Sequence, residues 1–284
     1  MRLCARFTDR PGRKLACFLC VLWLPTVVLN GAVWAQCDSI YVALIVLSLA
    51  LALEDKPIRS MICMTLSFAF KLQAVFVMPV FAILLMYKKI RWKHLLLFPL
   101  GYFVLVLPAV LLGRPLLDTL TLYLNQTGSI GSGLNYNSPS VFAILWRIKE
   151  PEPASTIAIL AAFTYMLLIL AAAFPKRKSL SDRDVLLAAV LLAVGIPFLL
   201  PHMHDRYFFA ADILSLVLAF SAPLYAACAL LTQFASLLGY HAYLKMRFLL
   251  PMRDGAYALI AALLLLLIGY GHELFSAKGE PDPF

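Results

Sequence analysis

Long apolar blocks alternate with short polar links along the whole chain. Blocks such as 94–112, 154–174 and 255–274 approach the length of about 20 residues that a helix needs to cross a bilayer. No block alternates apolar and polar residues in the manner of a membrane-spanning strand. Because lipid admits only helices or closed barrels, the pattern predicts an all-α fold, a polytopic integral membrane helical bundle.

The blocks divide a single transmembrane domain, residues 1–284, into about 9–10 transmembrane helices. The first block resembles a signal peptide, but no clean small-x-small cleavage site follows it, so it is predicted to remain as the first span. The spans at 60–70 and 74–87 are short, and we predict two short helices joined by a polar hinge at Lys71 and Gln73. The predicted spans are 15–33, 39–54, 60–70, 74–87, 94–112, 154–174, 185–200, 208–222, 224–243 and 255–274.

A polar outer loop, 113–153, follows the fifth span and is rich in Gly, Ser and Asn. Within it, 116–124 and 141–148 are amphipathic enough for short interfacial helices. The triplet at 125–127, Asn-Gln-Thr, fits the N-glycosylation pattern, although one triplet is a weak signal and carries no meaning in a bacterial cell.

Composition agrees with a membrane protein, because 63% of the residues are hydrophobic and 14% are charged, against about a quarter charged in a soluble domain. The net charge of +9 does not indicate a nucleic-acid partner. The basic residues form short clusters between apolar blocks, as the positive-inside rule requires, and they predict a cytoplasmic N-terminus. Lys245, Arg247 and Arg253 fall on the outer side of this map, against the rule.

The cysteines do not indicate a redox or zinc site. Most of the six lie within apolar segments, and Cys17 and Cys20, which have CxxC spacing, both fall in the first predicted span. Packing in the core is therefore predicted for them, rather than disulfides or zinc.

Three polar features fall on the outer side of the predicted map: Asp38, the Lys71/Gln73 hinge, and the turn 202–206. Ionisable groups at the edge of a bilayer are costly unless they face a partner or a wet cavity, so they form a candidate functional site. An acid, several cations and histidines on one face suit chemistry on an anionic, lipid-linked substrate. Structural alternatives are a polar turn that anchors helix ends, helix capping by Asp38, and snorkelling of Lys71 to the headgroups.

Four short motifs resemble those of one family. WAQCDS at 34–39 resembles a W-x-Q-x-D-S signature, FKLQ at 70–73 with the following Met78-Pro79 resembles an F-K-x-Q…P element, and PHMHDRYF at 201–208 resembles a P-x-M-H-[DE]-R-Y-F signature. LNYNSPS at 134–140 is similar to an outer-loop element of the same family. Together they resemble bacterial membrane glycosyltransferases of the GT-C superfamily, the group related to the second GPI mannosyltransferase.

The resemblance implies transfer of a mannose-like hexose from a polyprenyl-phosphate donor to a lipid- or glycan-linked acceptor. It implies inversion at the anomeric carbon and an active face on the extracytoplasmic side of the bacterial plasma membrane, among membrane lipids. Family members usually begin with at least one more span and a large outer loop that carries a catalytic acid. We therefore expect either an N-terminally truncated product or a site in which Asp38 serves alone.

For such a transfer, Asp38 is the candidate base and Arg206 the candidate phosphate ligand, because a guanidinium fork binds two phosphate oxygens at once. Asp205 is predicted to pair with Arg206, Lys71 or a histidine, and the aromatic belt alone would explain Tyr207 and Trp34. A His-x-His-Asp run can also hold a divalent metal, but no second ligand set is visible, so no cofactor is assigned and the metal stays open. The predicted substrate-binding residues are Lys71, Gln73, His202, His204, Arg206 and Tyr207.

The sequence leaves two other hypotheses open. A polytopic transporter or lipid flippase also has many spans with inward-facing charge, but transporters often show internal repeats. This chain shows none, and its polar groups collect at one face. The other hypothesis is an inactive, truncated remnant of a glycosyltransferase.

Overall fold

The structure, a computed structural model, describes residues 1–123, 133–145 and 147–275. The structure is 74% helical with almost no strand, which confirms the predicted all-α fold. The α-helices are α1 (Pro11–Leu22), α2 (Pro25–Val28), α3 (Asp38–Leu53), α4 (Pro57–Phe70), α5 (Val80–Met86), α6 (Trp92–Leu95), α7 (Leu97–Leu111), α8 (Leu116–Leu120), α9 (Val141–Ile144), α10 (Pro151–Ala173), α11 (Asp182–Leu199), α12 (Phe209–Ser221), α13 (Ala226–Leu244) and α14 (Met252–Phe275). Shorter 3₁₀ segments lie at Cys4–Arg6, Leu72–Phe76 and Pro223–Tyr225, and a π-helical turn lies at Leu29–Val33.

The first predicted span, 15–33, is a broken helix rather than a continuous one. Helix α1 ends at Leu22, and the chain bends by 45° before Pro25–Val33. Pro25 supplies the reason, because a proline ring lacks the N–H that would continue the hydrogen-bond ladder of α1. The break redirects the π-helical turn that carries Asn30 towards the end of the bundle.

Within the described parts of the chain, four helices are long and apolar enough to cross a membrane, or five if the bent pair counts as one span. Apolar helices of 10–17 residues lie where the sequence predicts spans 39–54, 60–70 and 208–222, so the crossing of each of these segments stays a prediction. The four long helices are Trp92–Leu111, Pro151–Ala173, Pro223–Leu244 and Met252–Phe275.

Helix α11 is the central helix of the bundle. Every residue from Asp184 to Phe198 is buried, as expected of a helix that is apolar on all sides. The helix begins with a capping box in which the Ser181 and Asp184 side chains each bond the backbone N–H of the other residue. It packs against α5, α10, α12 and α14.

The two ends of the bundle carry different chemistry. One end holds ion pairs between short links and helix termini, together with the clusters around Lys89 and Lys176. The other end holds the π-helical turn, the Lys71 hinge, the turn 201–208 and the segment 133–140. The ion pairs of the first end are Arg2–Glu54, Arg6–Asp182, Lys56–Glu54, Lys89–Asp55 and Arg183–Glu273.

A two-residue parallel ladder joins the outer loop to the turn, although the apolar pattern predicts no strand. Strand β1 (Asn135–Tyr136) pairs with β2 (Met203–His204). In the outer loop α9 ends at Ile144, before the predicted end at 148, whereas α8 ends at Leu120 and helical conformation resumes at 122–123. The glycosylation triplet at 125–127 and the predicted helix end at 124 lie outside the described residues.

Candidate functional site

Asp38 lies at the centre of the polar end and is 1% exposed. It is the first residue of α3, with Cys37 in the N-cap position and no side-chain cap. The capping interpretation is therefore wrong, because the carboxylate bonds other groups. Asn30 Nδ2 donates to Asp38 Oδ2 at 2.8 Å, Lys71 forms an ion pair with Oδ1, and Arg206 Nε lies 3.7 Å from Oδ2.

Lys71 points inward from the hinge between α4 and the 3₁₀ segment. Its backbone is extended, with φ −157°, which ends α4 and turns the side chain towards Asp38. The side chain is 15% exposed, and the ammonium lies 5.7 Å from the centre of the Tyr41 ring. The snorkelling interpretation is wrong for this residue, because its charge meets a buried carboxylate rather than the headgroups.

Arg206 reaches the same carboxylate from the turn between α11 and α12. Its guanidinium lies 5.3 Å from the Trp34 ring centre, a cation–π distance, and 3.8 Å from Asp205 Oδ1. Trp34 is itself stacked on Tyr243 of α13, with ring centres 4.2 Å apart. The turn, the π-helical segment and α13 therefore fix the guanidinium beside Asp38, and the predicted convergence of Asp38, Lys71 and Arg206 is confirmed.

In the turn, the pKa values of Asp205 and His204 are shifted from their ordinary values. Burial raises the pKa of Asp205 to about 7, in spite of the opposing effect of Arg206. Burial, followed by the charges of Arg206 and Lys71, lowers the pKa of His204. The lowered pKa favours the neutral imidazole, which can donate and accept hydrogen bonds without adding a third cation to Lys71 and Arg206.

The two histidines face the outer loop. His202 has a left-handed backbone, with φ 61°, and its Nδ1 donates to Gly133 O at 2.7 Å. Its Nε2 lies 3.5 Å from Ser155 Oγ. The His204 ring is stacked on Tyr136 at 4.7 Å. Among the described residues, no three His, Cys, Asp or Glu side chains converge as metal ligands.

Gln73 and Tyr207 form a second layer beside the charged groups. The Gln73 side chain lies beside the Tyr207 phenol, and the ring of Tyr207 lies 5.2 Å from that of His204 and 6.3 Å from that of Phe76. Both residues thus reach the same end of the bundle as Asp38. Their predicted contact with substrate stays a prediction.

Sequence reasoning missed two residues that organise the site. Asn30 Nδ2 donates to Asp38 and also lies 3.0 Å from the Tyr240 hydroxyl. Gly239 lets α13 approach the turn, since a Cβ there would lie 2.9 Å from Asp205 O. An asparagine within an apolar span was the available signal for Asn30. Gly239 gives no local signal, because its role depends on a contact between distant segments.

Several buried polar atoms around Asp38 have no hydrogen-bond partner in the described chain. They include Arg206 Nε, Asp205 Oδ1, Gln73 Oε1 and Asn30 Oδ1. Buried polar groups in native proteins are nearly always bonded to protein or water, so a group of unpaired ones marks a place where water or a polar ligand binds. The site thus offers two cations for an anion and one carboxylate for a hydroxyl.

Comparison with known proteins places most of the chain in one family model. The model of glycosyltransferase family 87 matches residues 1–201, which include Asp38, Lys71 and the start of the turn at Pro201. A search of curated proteins and a search of solved structures found no match.

Proposed function

The chain belongs to glycosyltransferase family 87, and from that membership we propose that it moves a mannose-like hexose from a polyprenyl-phosphate donor to a lipid- or glycan-linked acceptor. As a member of this family with apolar helices long enough to cross a bilayer, it is an integral membrane glycosyltransferase. One observation supports the proposed donor and acceptor. Arg206 Nε is buried, donates no hydrogen bond within the described chain and lies 3.7 Å from Asp38 Oδ2.

The proposed transfer uses Asp38 as the base. The acceptor O–H gives its proton to the carboxylate, the acceptor oxygen forms a bond with the anomeric carbon, and the bond between that carbon and the phosphate oxygen breaks. Attack from the face opposite the leaving group inverts the anomeric centre. The electron pair of the broken bond leaves with the polyprenyl phosphate, whose negative charge grows during the step.

Arg206 and Lys71 are the proposed ligands of the leaving phosphate. Their side chains are 23% and 15% exposed, respectively, and partly buried cations stabilise a charge developing on the phosphate more strongly than they would in bulk water. Lys71 also forms an ion pair with Asp38, so its ammonium lies within reach of both the proposed base and the leaving phosphate.

His204, Gln73 and Tyr207 are proposed to hold hydroxyl groups of the sugar. A neutral imidazole, an amide and a phenol each donate and accept hydrogen bonds without changing the charge of the site. His202 is proposed to act on the phosphate only after it exchanges its bond to Gly133 O, so its contribution is smaller than that of Arg206.

The relationship to the second GPI mannosyltransferase is proposed from the four motifs at 34–39, 70–79, 134–140 and 201–208. Mannose is accordingly the sugar to test first. A direct assay supplies the purified chain in lipid nanodiscs with polyprenyl-phosphate mannose or glucose and a glycolipid acceptor. Transfer by wild type and loss of transfer in Asp38→Asn would support the proposal, and equal transfer by both would reject it.

The polar end is proposed to face the extracytoplasmic side of a bacterial plasma membrane. The support is the clustering of Lys88, Lys89 and Lys176 at the opposite end, which the positive-inside rule assigns to the cytoplasm. Lys149→Cys and Lys178→Cys, each on a cysteine-free background, would be treated with an impermeant thiol reagent in whole cells. Labelling of position 149 alone is expected, and labelling of position 178 alone would reverse the map.

A further inference from the structure

The link 245–251 joins α13 to α14 at the same end of the bundle as Asp38, and all seven of its residues are exposed. Met246 is 86% exposed, Phe248 60% and Leu249 64%. Irregular backbone does not face lipid within the hydrocarbon region, because its polar groups would lack partners there. The link therefore lies at the membrane surface, with its apolar side chains available to the bilayer.

The link has a defined shape. Met246 adopts a left-handed backbone, with φ 51°, which ends α13, and its N–H donates to Tyr243 O at 3.3 Å. His241 Nδ1 donates to Arg247 O at 3.1 Å and holds the next turn of the chain. These bonds fix the backbone and leave the Met246 side chain exposed, while Phe248 is exposed in part and also lines a cavity with Leu134 and Phe142 of the outer loop.

The link also concentrates positive charge. Lys245, Arg247 and the neighbouring Arg253 form no ion pair with any residue in the described ranges. They lie at the end that the positive-inside rule leaves poor in cations. A neutral lipid surface would account for the exposed apolar side chains but would not account for three unpaired cations beside them.

We propose that the link 245–251, together with Arg253, binds the anionic headgroups of phospholipids in the leaflet on the side of the candidate site. Phe248 and Leu249 enter the boundary between headgroups and acyl chains, as the apolar residues of interfacial segments do. Lys245, Arg247 and Arg253 bind the phosphates above them. The surface lies close to the site, because Tyr243, in the last turn of α13 just before this link, stacks on Trp34, which faces Arg206.

The test uses the full chain in liposomes that contain a diazirine-bearing phosphatidylglycerol or the matching phosphatidylcholine. After illumination, lipid adducts are mapped by mass spectrometry. The variant Lys245→Gln/Arg247→Gln is compared with wild type and with Arg177→Gln/Lys178→Gln, which removes two exposed cations at the opposite end. Adducts on the lipid-facing helix 97–111 report in every sample whether the protein is folded and inserted.

We expect the peptide 245–253 of wild type to take up phosphatidylglycerol at least about fivefold better than phosphatidylcholine, the ratio for one cation near an anionic surface. The Lys245→Gln/Arg247→Gln variant should lose this preference, while the control variant should keep it. Equal labelling by both lipids, a preference that survives the double substitution, or no adduct on this peptide would each overturn the proposal. The result is independent of transferase activity, so it stands apart from the proposed function.

Discussion

The Oδ2 oxygen of Asp38 and the Nε nitrogen of Arg206 lie 3.7 Å apart, and Arg206 Nε donates no hydrogen bond within the described chain. The separation is too long for a hydrogen bond but short for a Coulomb contact between partly buried charges. The proposed base, Asp38, therefore lies beside Arg206, whose Nε–H is available to an anion.

Two replacements of Arg206 are expected to distinguish the effect of its positive charge from the effect of its planar guanidinium. Arg206→Ala removes a contact to the leaving phosphate and should lower kcat by about 10²–10³. Arg206→Lys keeps the charge but loses the planar fork and the face that lies against Trp34, so it should also be impaired. Steady-state kinetics with a polyprenyl-phosphate sugar would measure both, with Arg183→Lys at the opposite end as the control. Turnover of Arg206→Ala close to that of wild type would contradict the assignment.

Asp38→Asn should abolish most proton transfer while preserving the size of the side chain. Loss of a general base typically costs about 10²–10⁴ in rate. Binding of the donor should persist, because Arg206 and Lys71 remain. Donor binding and turnover would be measured separately, with the exposed Asp118→Asn as the control. A variant that loses donor binding and keeps kcat would assign Asp38 to the donor instead.

Asp38 and Lys71 should be coupled in stability. Removing one partner of a buried ion pair leaves an uncompensated charge and costs about 3–5 kcal/mol. The double variant Asp38→Asn/Lys71→Met should therefore be less destabilised than the sum of the single variants, by about 0.5–3 kcal/mol. Unfolding in detergent micelles would give the coupling energy. The Lys89–Asp55 pair, whose Asp55 side chain is 72% exposed, should show a much smaller value.

Asn30 should position Asp38. Its amide donates to both Asp38 and the Tyr240 hydroxyl, and a hydrogen bond to a charged group contributes about 1.5–3 kcal/mol. Asn30→Ala should lower kcat with a smaller change in KM for the donor. Tyr240→Phe removes the other contact of the amide and keeps its bond to Asp38, so it should retain more activity. A larger loss in Tyr240→Phe than in Asn30→Ala would show that the bond to Asp38 is unimportant.

The raised pKa of Asp205 should make the stability of the protein depend on pH. Its pKa rises from 3.8 to about 7 in the folded protein, so the folded state holds this proton more tightly than the unfolded state does. The free energy of unfolding should consequently decrease as the pH rises from about 4 to about 7. Asp205→Asn should reduce this slope, whereas Asp254→Asn should leave it intact. An unchanged slope in Asp205→Asn would exclude Asp205 as its source.

The sequence by itself determined the fold class and identified most of the residues of the candidate site. Apolar blocks of bilayer length dictate helices, because no other open structure satisfies the backbone in lipid. The polar residues Asp38, Lys71 and Arg206 stood out because charge is costly beside such blocks. These inferences depend on local pattern and on the thickness of the membrane, and both can be read without knowing how the helices pack.

Only the tertiary structure decided what these residues bind. It made Lys71 an ion-pair partner rather than a snorkelling residue, and it joined His202 to the outer loop at Gly133. Asn30 contacts Asp38 because the first span bends before Pro25. The turn packs closely on α13 because Gly239 has no side chain there. The physical reason is that such contacts depend on helix rotation and on close approach between segments far apart in the chain, and a local apolar pattern carries no information about either.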